Sequence, residues 1–144
     1  MPRLYCDASP KTIAYLLDGG GCDYQELPQE IPIMQAEYLA VVYGLSEYFN
    51  KWQKELDARH DNQEAGEWFK AESHVMAETP RPLPPPVLVL SDNEVVVKQL
   101  RREYHIANSE LRKLAKQVWD MSKNVDVHFE WISRKENLAG KMLK

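Results

Sequence analysis

Two periodicities divide the chain. Near the N-terminus, Arg3 to Asp7 and Thr12 to Leu17 read as short strands. Leu4 and Cys6 lie on one side of the first, with Arg3, Tyr5 and Asp7 on the other. Asp18-Gly19-Gly20-Gly21 marks a tight reversal into a third strand, Cys22 to Leu27, so the spacing predicts an antiparallel meander that ends at Pro28. From Met34 the period lengthens. Met34, Tyr38, Val41, Leu45, Tyr48 and Trp52 recur every three or four residues, one face of an amphipathic helix. Residues 53 to 79 are mostly charged and polar, and Pro80 to Pro86 holds five prolines. The expectation is one domain over 1–144 with a polar, Pro-rich surface excursion at about 50–86, carrying a helix of its own near 62–76.

Val87 to Leu90 is a continuous apolar run, as in a strand buried on both faces by parallel neighbours. Helices are predicted from Asn93 to Arg102 and from Ser109 to Ser122. In the second, Leu111, Leu114, Ala115, Val118 and Met121 form the inward stripe behind an Asn108 or Ser109 cap. Val125, Val127, Phe129 and Trp131 alternate with polar residues as in a half-buried strand, and Asn137 to Lys144 holds at most a short helix. Three strands, a helix, a strand, helices and a strand make an α/β order.

Composition adds little to this picture. Apolar residues are 44% and charged residues 28% of 144, as in ordinary globular proteins. No apolar run is long enough to span a membrane, and the N-terminus lacks the apolar core of a signal peptide. A cytoplasmic monomer without membrane contact is therefore expected. Cys6 and Cys22 are expected to be buried free thiols. A net charge of −4 excludes bulk attraction to nucleic acid, so any such contact needs a local patch. Lys98, Arg101, Arg102, His105, Arg112, Lys113 and Lys116 supply one, as phosphate contacts or as a solvated helix face. The four histidines have no zinc-like spacing.

Three acids stand out against this background. Asp7 ends the first strand. Glu37 lies at the margin of the helical stripe, where it is either partly desolvated or turned to solvent. Asp92 ends the most apolar strand, where open α/β sheets place functional groups, and is also a natural N-cap for the helix that follows. If the first and fourth strands are parallel neighbours, Asp7 and Asp92 emerge side by side and the first helix presents Glu37 to both. Three converging carboxylates repel one another unless a hard divalent cation binds them. Two such ions about 3.5–4 Å apart can clamp a scissile phosphate.

The motifs LYCDAS, QAEYLAVVYGL (residues 35–45), VLVLSDNEVVVKQL (87–100), REYHIANSELRKLAKQV (102–118) and FEWISRKENLAG (129–140) together resemble the type 1 ribonuclease H family in its compact form, without the basic handle. The resemblance implies a five-stranded mixed sheet flanked by helices. It also implies cleavage of the RNA strand of RNA/DNA hybrids with two Mg²⁺ or Mn²⁺ ions on Asp7, Glu37 and Asp92. Ser9, Asn93, Lys98, Arg101, Arg102, Arg134 and Asn137 are its implied nucleic-acid contacts. There are departures. Gly140 stands where the family carries a fourth carboxylate, with Glu136 or Asp126 as nearby substitutes. Ile33-Met34 replaces a pair of asparagines that read ribose hydroxyls, and no His lies between Ile132 and Asn137. Two other functions therefore stay open: a catalytically impaired module that binds nucleic acid or a protein partner, and a nuclease of this fold acting on another structured nucleic acid.

Overall fold

The computed structural model describes residues 1–18, 22–62, 84–123 and 125–143, with only the backbone of 59–62. Strands β1 (Arg3–Ala8), β2 (Thr12–Leu17) and β3 (Cys22–Glu26) precede helix α1 (Ile33–Asn62). Then come β4 (Val87–Ser91), α2 (Glu94–Leu100), α3 (Ser109–Met121), β5 (Val127–Trp131) and a 3₁₀ helix at Leu138–Leu143. The sheet order is β3-β2-β1-β4-β5. The N-terminal meander is antiparallel, whereas β4 runs parallel to both β1 and β5. The result is the mixed five-stranded sheet expected, with β4 buried between parallel neighbours as its apolar run requires.

The alternation within each strand decides what covers each face. Leu4, Cys6, Ile13, Tyr15, Val87 and Val89 pack on one face beneath α1, α2 and α3, joined by Tyr38, Val41 and Leu45 from α1 and Ala115 and Val118 from α3. Tyr5, Ala14 and Leu90 point the other way and are covered by Ala139, Met142 and Leu143 of the 3₁₀ helix. α1 lies close enough to the sheet that a Cβ on Gly44 would stand 3.0 Å from Leu4 Cδ2 and 3.3 Å from Tyr15 Cβ. Any residue larger than glycine would have to push the helix or these side chains away.

The structure corrects three expectations. α1 does not end near Trp52 but continues to Asn62, so residues 50–62 are helix and not part of an excursion. Their Lys, Glu, Gln and Asp residues are adequate helix formers that lack an apolar stripe, and periodicity cannot see such a segment. Cys22 is exposed rather than buried, because all five residues of the edge strand β3 are exposed. The third concerns Asp92 and is taken up with the site. The predicted helix near 62–76 and the Gly19–Gly21 turn lie outside the described residues. Where the chain re-enters β4 it is fastened to α1, since the Tyr48 hydroxyl donates to the Pro85 carbonyl at 2.6 Å. No helix among the described residues is long and apolar enough to cross a membrane.

Candidate metal centre

The parallel pairing of β1 with β4 brings two strand ends together, and each carries an acid. Cys6 is in register with Ser91, so Asp7 and Asp92 follow on adjacent chains. α1 crosses the same end of the sheet and adds Glu37. One carboxylate oxygen from each of the three lies within 4.8 Å of the others. Glu37 is only 5% exposed, so the structure resolves its two sequence readings in favour of burial.

The backbone around each acid explains why its side chain is free. Asn93, not Asp92, caps α2: Asn93 has extended φ and ψ, and its side-chain oxygen accepts from the Val96 amide at 3.2 Å. The Ser91 hydroxyl accepts from the Asn93 amide at 3.1 Å, which sets that turn. Asp92 itself is fastened by its main chain, whose carbonyl accepts from the Trp131 indole at 3.2 Å. Its carboxylate is therefore left for the cleft. Asp7 Oδ1 accepts from the Ala8 amide at 2.9 Å, and its other oxygen faces Gly140.

The electrostatics of the cluster are those of a group that could bind a cation. Glu37 Oε2 and Asp92 Oδ2 are buried and have no hydrogen-bond partner, a state that costs several kcal/mol for a charged group. Burial, then the charges of Asp7 and Asp92, push the Glu37 carboxyl up to about 9. Burial also raises Asp7, against the lowering effect of the Ala8 amide. Burial and the neighbouring Glu37 and Asp7 raise the Cys6 thiol beneath them, so it stays protonated. Among the described residues, the one basic group within ion-pair range is Arg134, whose Nε lies 3.9 Å from Asp92 Oδ2; its side chain is 92% exposed, so the pair is weak. Three hard oxygen donors, two of them orphaned, fit Mg²⁺, Mn²⁺ or Ca²⁺ better than a soft or nitrogen-preferring metal.

The acids open into a cleft of about 610 Å³ walled by Asn93, Arg134 and Asn137 among the expected residues. Asn137 is 1% exposed and ties the 3₁₀ helix to the sheet. Its amide donates to the Cys6 carbonyl at 2.9 Å, and its oxygen accepts from the Ala139 amide at 3.2 Å. Asn137→Ala should therefore cost about 2–3 kcal/mol by stranding a buried carbonyl. In urea unfolding this appears as a lower midpoint with an unchanged m-value.

Other expected contacts lie elsewhere. The Ser9 hydroxyl accepts from the Thr12 amide at 3.1 Å and shapes the β1–β2 turn. Lys98 is paired with Glu94 at 2.9 Å and Arg101 with Glu103 at 2.9 Å, while Arg102 stacks on Trp119 at 4.2 Å. Arg101, Arg102 and Trp119 line a larger cleft of about 850 Å³ beside β5, where Glu130 is the only carboxylate among the described residues. Of the basic stretch, Lys98, Arg101 and Lys113 are paired with local acids, whereas Arg102, His105, Arg112 and Lys116 have no ion pair among the described residues. Neither Glu136 nor Asp126 lines the acidic cleft. Lys135 and Lys141 do, and sequence reasoning passed over them although they adjoin Arg134 and Gly140.

A protein-family model described as reverse transcriptase-like matches residues 84–143, from the approach to β4 through the 3₁₀ helix. No curated protein matches the chain. Among solved structures, it is similar to ribonuclease H1 of the halophilic archaeon Halobacterium salinarum, with 18% identity, a TM-score of 0.66, and coverage of 99% of this chain and 92% of that one. It is similar to LC11 ribonuclease H1 in complex with an RNA/DNA hybrid, with 16% identity, a TM-score of 0.64 and full coverage of both chains. A third likeness is to the N-terminal ribonuclease H domain of a Mycobacterium tuberculosis protein, at 15% identity and TM-score 0.62, covering 94% and 84%. With this likeness along its length and the reverse transcriptase-like match over its C-terminal part, the chain has the ribonuclease H-like fold.

Proposed function

We propose that the protein is a single-domain, divalent-metal-dependent endonuclease that hydrolyses the RNA strand of RNA/DNA hybrids, acting as a monomer. The observation that carries this reading is the cluster of Asp7 and Asp92 at the ends of parallel strands with Glu37 from α1, in which two buried carboxylate oxygens lack a hydrogen-bond partner. Asp7, Glu37 and Asp92 would hold the ion, which when bound supplies Lewis-acid stabilisation of charge on a phosphate. Asn137 holds the 3₁₀ helix, and with it Gly140 and Lys141, against the cluster. Asn93 keeps Asp92 free by taking the cap. Arg134 and the lysines on the cleft wall supply the positive charge that a polyanionic backbone seeks. The solved complex of LC11 ribonuclease H1 with an RNA/DNA hybrid supports the choice of substrate by likeness of fold.

A second reading, a catalytically impaired module that binds nucleic acid or a protein, is favoured by Gly140 at the cleft and by the exposed Ile33 on its rim, where a hydroxyl-reading amide is missing. The third, cleavage of a different structured nucleic acid, draws on the same Ile33. Labelled RNA/DNA hybrid, duplex DNA and duplex RNA, incubated with the protein in Mg²⁺ or Mn²⁺ beside an Asp92→Asn control, separate all three. The proposal expects Asp92-dependent cuts in the RNA of the hybrid. Cuts confined to another duplex would favour the third reading, and no Asp92-dependent cleavage of any substrate would leave the second.

A further inference from the structure

We infer that the acidic centre holds one divalent ion rather than two, and that basic side chains of this chain stand on the side of the cleft where a second ion would need oxygen ligands. The inference rests on the metal-dependent reading above and specifies its centre.

The size of the cluster is the first reason. Ligands on opposite sides of one ion, bound at roughly 2.0–2.6 Å, lie about 4–5 Å apart. One oxygen from each of the three acids, all within 4.8 Å of one another, can therefore meet in a single coordination shell. A second ion about 3.5–4 Å from the first would need further donors of its own.

The oxygen donors on the cleft wall are already engaged. Asn137 uses both ends of its amide on Cys6 and Ala139. Asn93 gives its oxygen to the Val96 amide and turns its nitrogen toward the Met34 sulfur at 3.4 Å. Glu94 is held at 2.9 Å by Lys98. Gly140 has no side chain, and the space one would enter is taken: a Cβ there would lie 2.8 Å from Asp7 Oδ2. The Asp7 carboxylate thus stands where a side chain at position 140 would enter.

Charge is the second reason. The wall adds Arg134, Lys135 and Lys141. A second dication would meet these three cations, while Glu94, the one further carboxylate among the described residues lining the cleft, is already paired with Lys98. One ion on three carboxylates leaves a net charge of −1 at the cluster, which the three side chains outweigh, so a phosphate is still attracted. Arg134 faces Asp92 Oδ2 at 3.9 Å and competes with the ion for that oxygen.

Calorimetric titration of the full chain with Mn²⁺, paired with Mn²⁺ electron paramagnetic resonance, tests this directly. Both are run alone and with an uncleavable 2′-O-methyl RNA/DNA duplex, whose phosphate could lend ligands that the protein lacks. The expected result is one ion per chain in both conditions, with no exchange-coupled pair in the spectrum. Arg134→Gln should tighten Mn²⁺ binding by about three- to tenfold, and Arg134→Lys should restore much of the original affinity. Two ions per chain, or a coupled-pair spectrum, would overturn the inference and leave the metal-dependent reading standing. An unchanged affinity in both Arg134→Gln and the double variant Lys135→Gln/Lys141→Gln would overturn the part given to the basic wall. Absence of any saturable binding would remove the metal-dependent reading itself.

Discussion

Asp92→Asn should reduce nuclease activity by at least about a thousandfold while leaving the protein folded and its melting temperature in EDTA unchanged or a few degrees higher. The two effects separate because nothing structural uses the Asp92 carboxylate. The α2 cap is Asn93, the β4 end is pinned through main-chain carbonyls by Trp131 and Ile132, and Arg134 is too exposed to contribute much. Replacing the carboxylate with an amide of the same shape removes a like charge from beside Asp7 and Glu37 and takes one oxygen ligand from the ion. Single-turnover cleavage and a thermal melt on the same preparation check both halves. Activity within tenfold of the parent would remove Asp92 from the chemistry, and a large fall in melting temperature would show that its charge holds the fold.

Much of this centre is legible in the sequence, for identifiable reasons. The apolar run before Asp92 signals a strand buried on both faces, and only a parallel neighbour on each side satisfies it; β1 and β5 are those neighbours. The change of period at Met34 places Glu37 on a helix at the edge of the buried stripe. What periodicity cannot give is how far an edge residue is covered once three elements meet, so the 5% exposure of Glu37 had to come from the structure. Asp92 and Asn93 are both good capping residues, and the choice between them was decided by the Ser91–Asn93 turn. The basic stretch from Lys98 to Lys116 is partly offset by local acids, which a count of cations does not show. Glu94, Glu103 and Glu110 neutralise Lys98, Arg101 and Lys113 one by one. Lys135 and Lys141 acquire meaning only from the cleft, since the five residues between them must fold back before both line it.

Ion-free protein should become less stable as pH rises from about 5 to 9, the reverse of what ordinary paired carboxylates give. Glu37 titrates near 4.5 when unfolded and near 9 in the folded chain, raised by burial and then by Asp7 and Asp92. Between those values the native state binds more protons than the unfolded state, so unfolding free energy falls with pH. The contribution is fully present below the unfolded value and is lost as pH climbs through the folded one. Its slope is at most about 1.4 kcal/mol per pH unit, and on the order of 2–4 kcal/mol across the window once relaxation of the site is allowed. Asp7, also raised, adds in the same direction at the acid end. Glu37→Gln keeps the shape without the charge, so its stability should be nearly flat with pH and exceed the parent's at pH 8. Mn²⁺ should invert the parent's trend. The ion binds the deprotonated carboxyl, its stabilisation grows with pH, and at pH 7 binding should release about one proton, seen as a dependence of the calorimetric heat on buffer ionisation enthalpy. Urea unfolding in EDTA at pH 5, 6, 7, 8 and 9 is the deciding series. A parent curve that is flat or rising over pH 6–9 would mean that Glu37 keeps its charge in the ion-free fold, and that the repulsion within the cluster is relieved by something other than a metal ion.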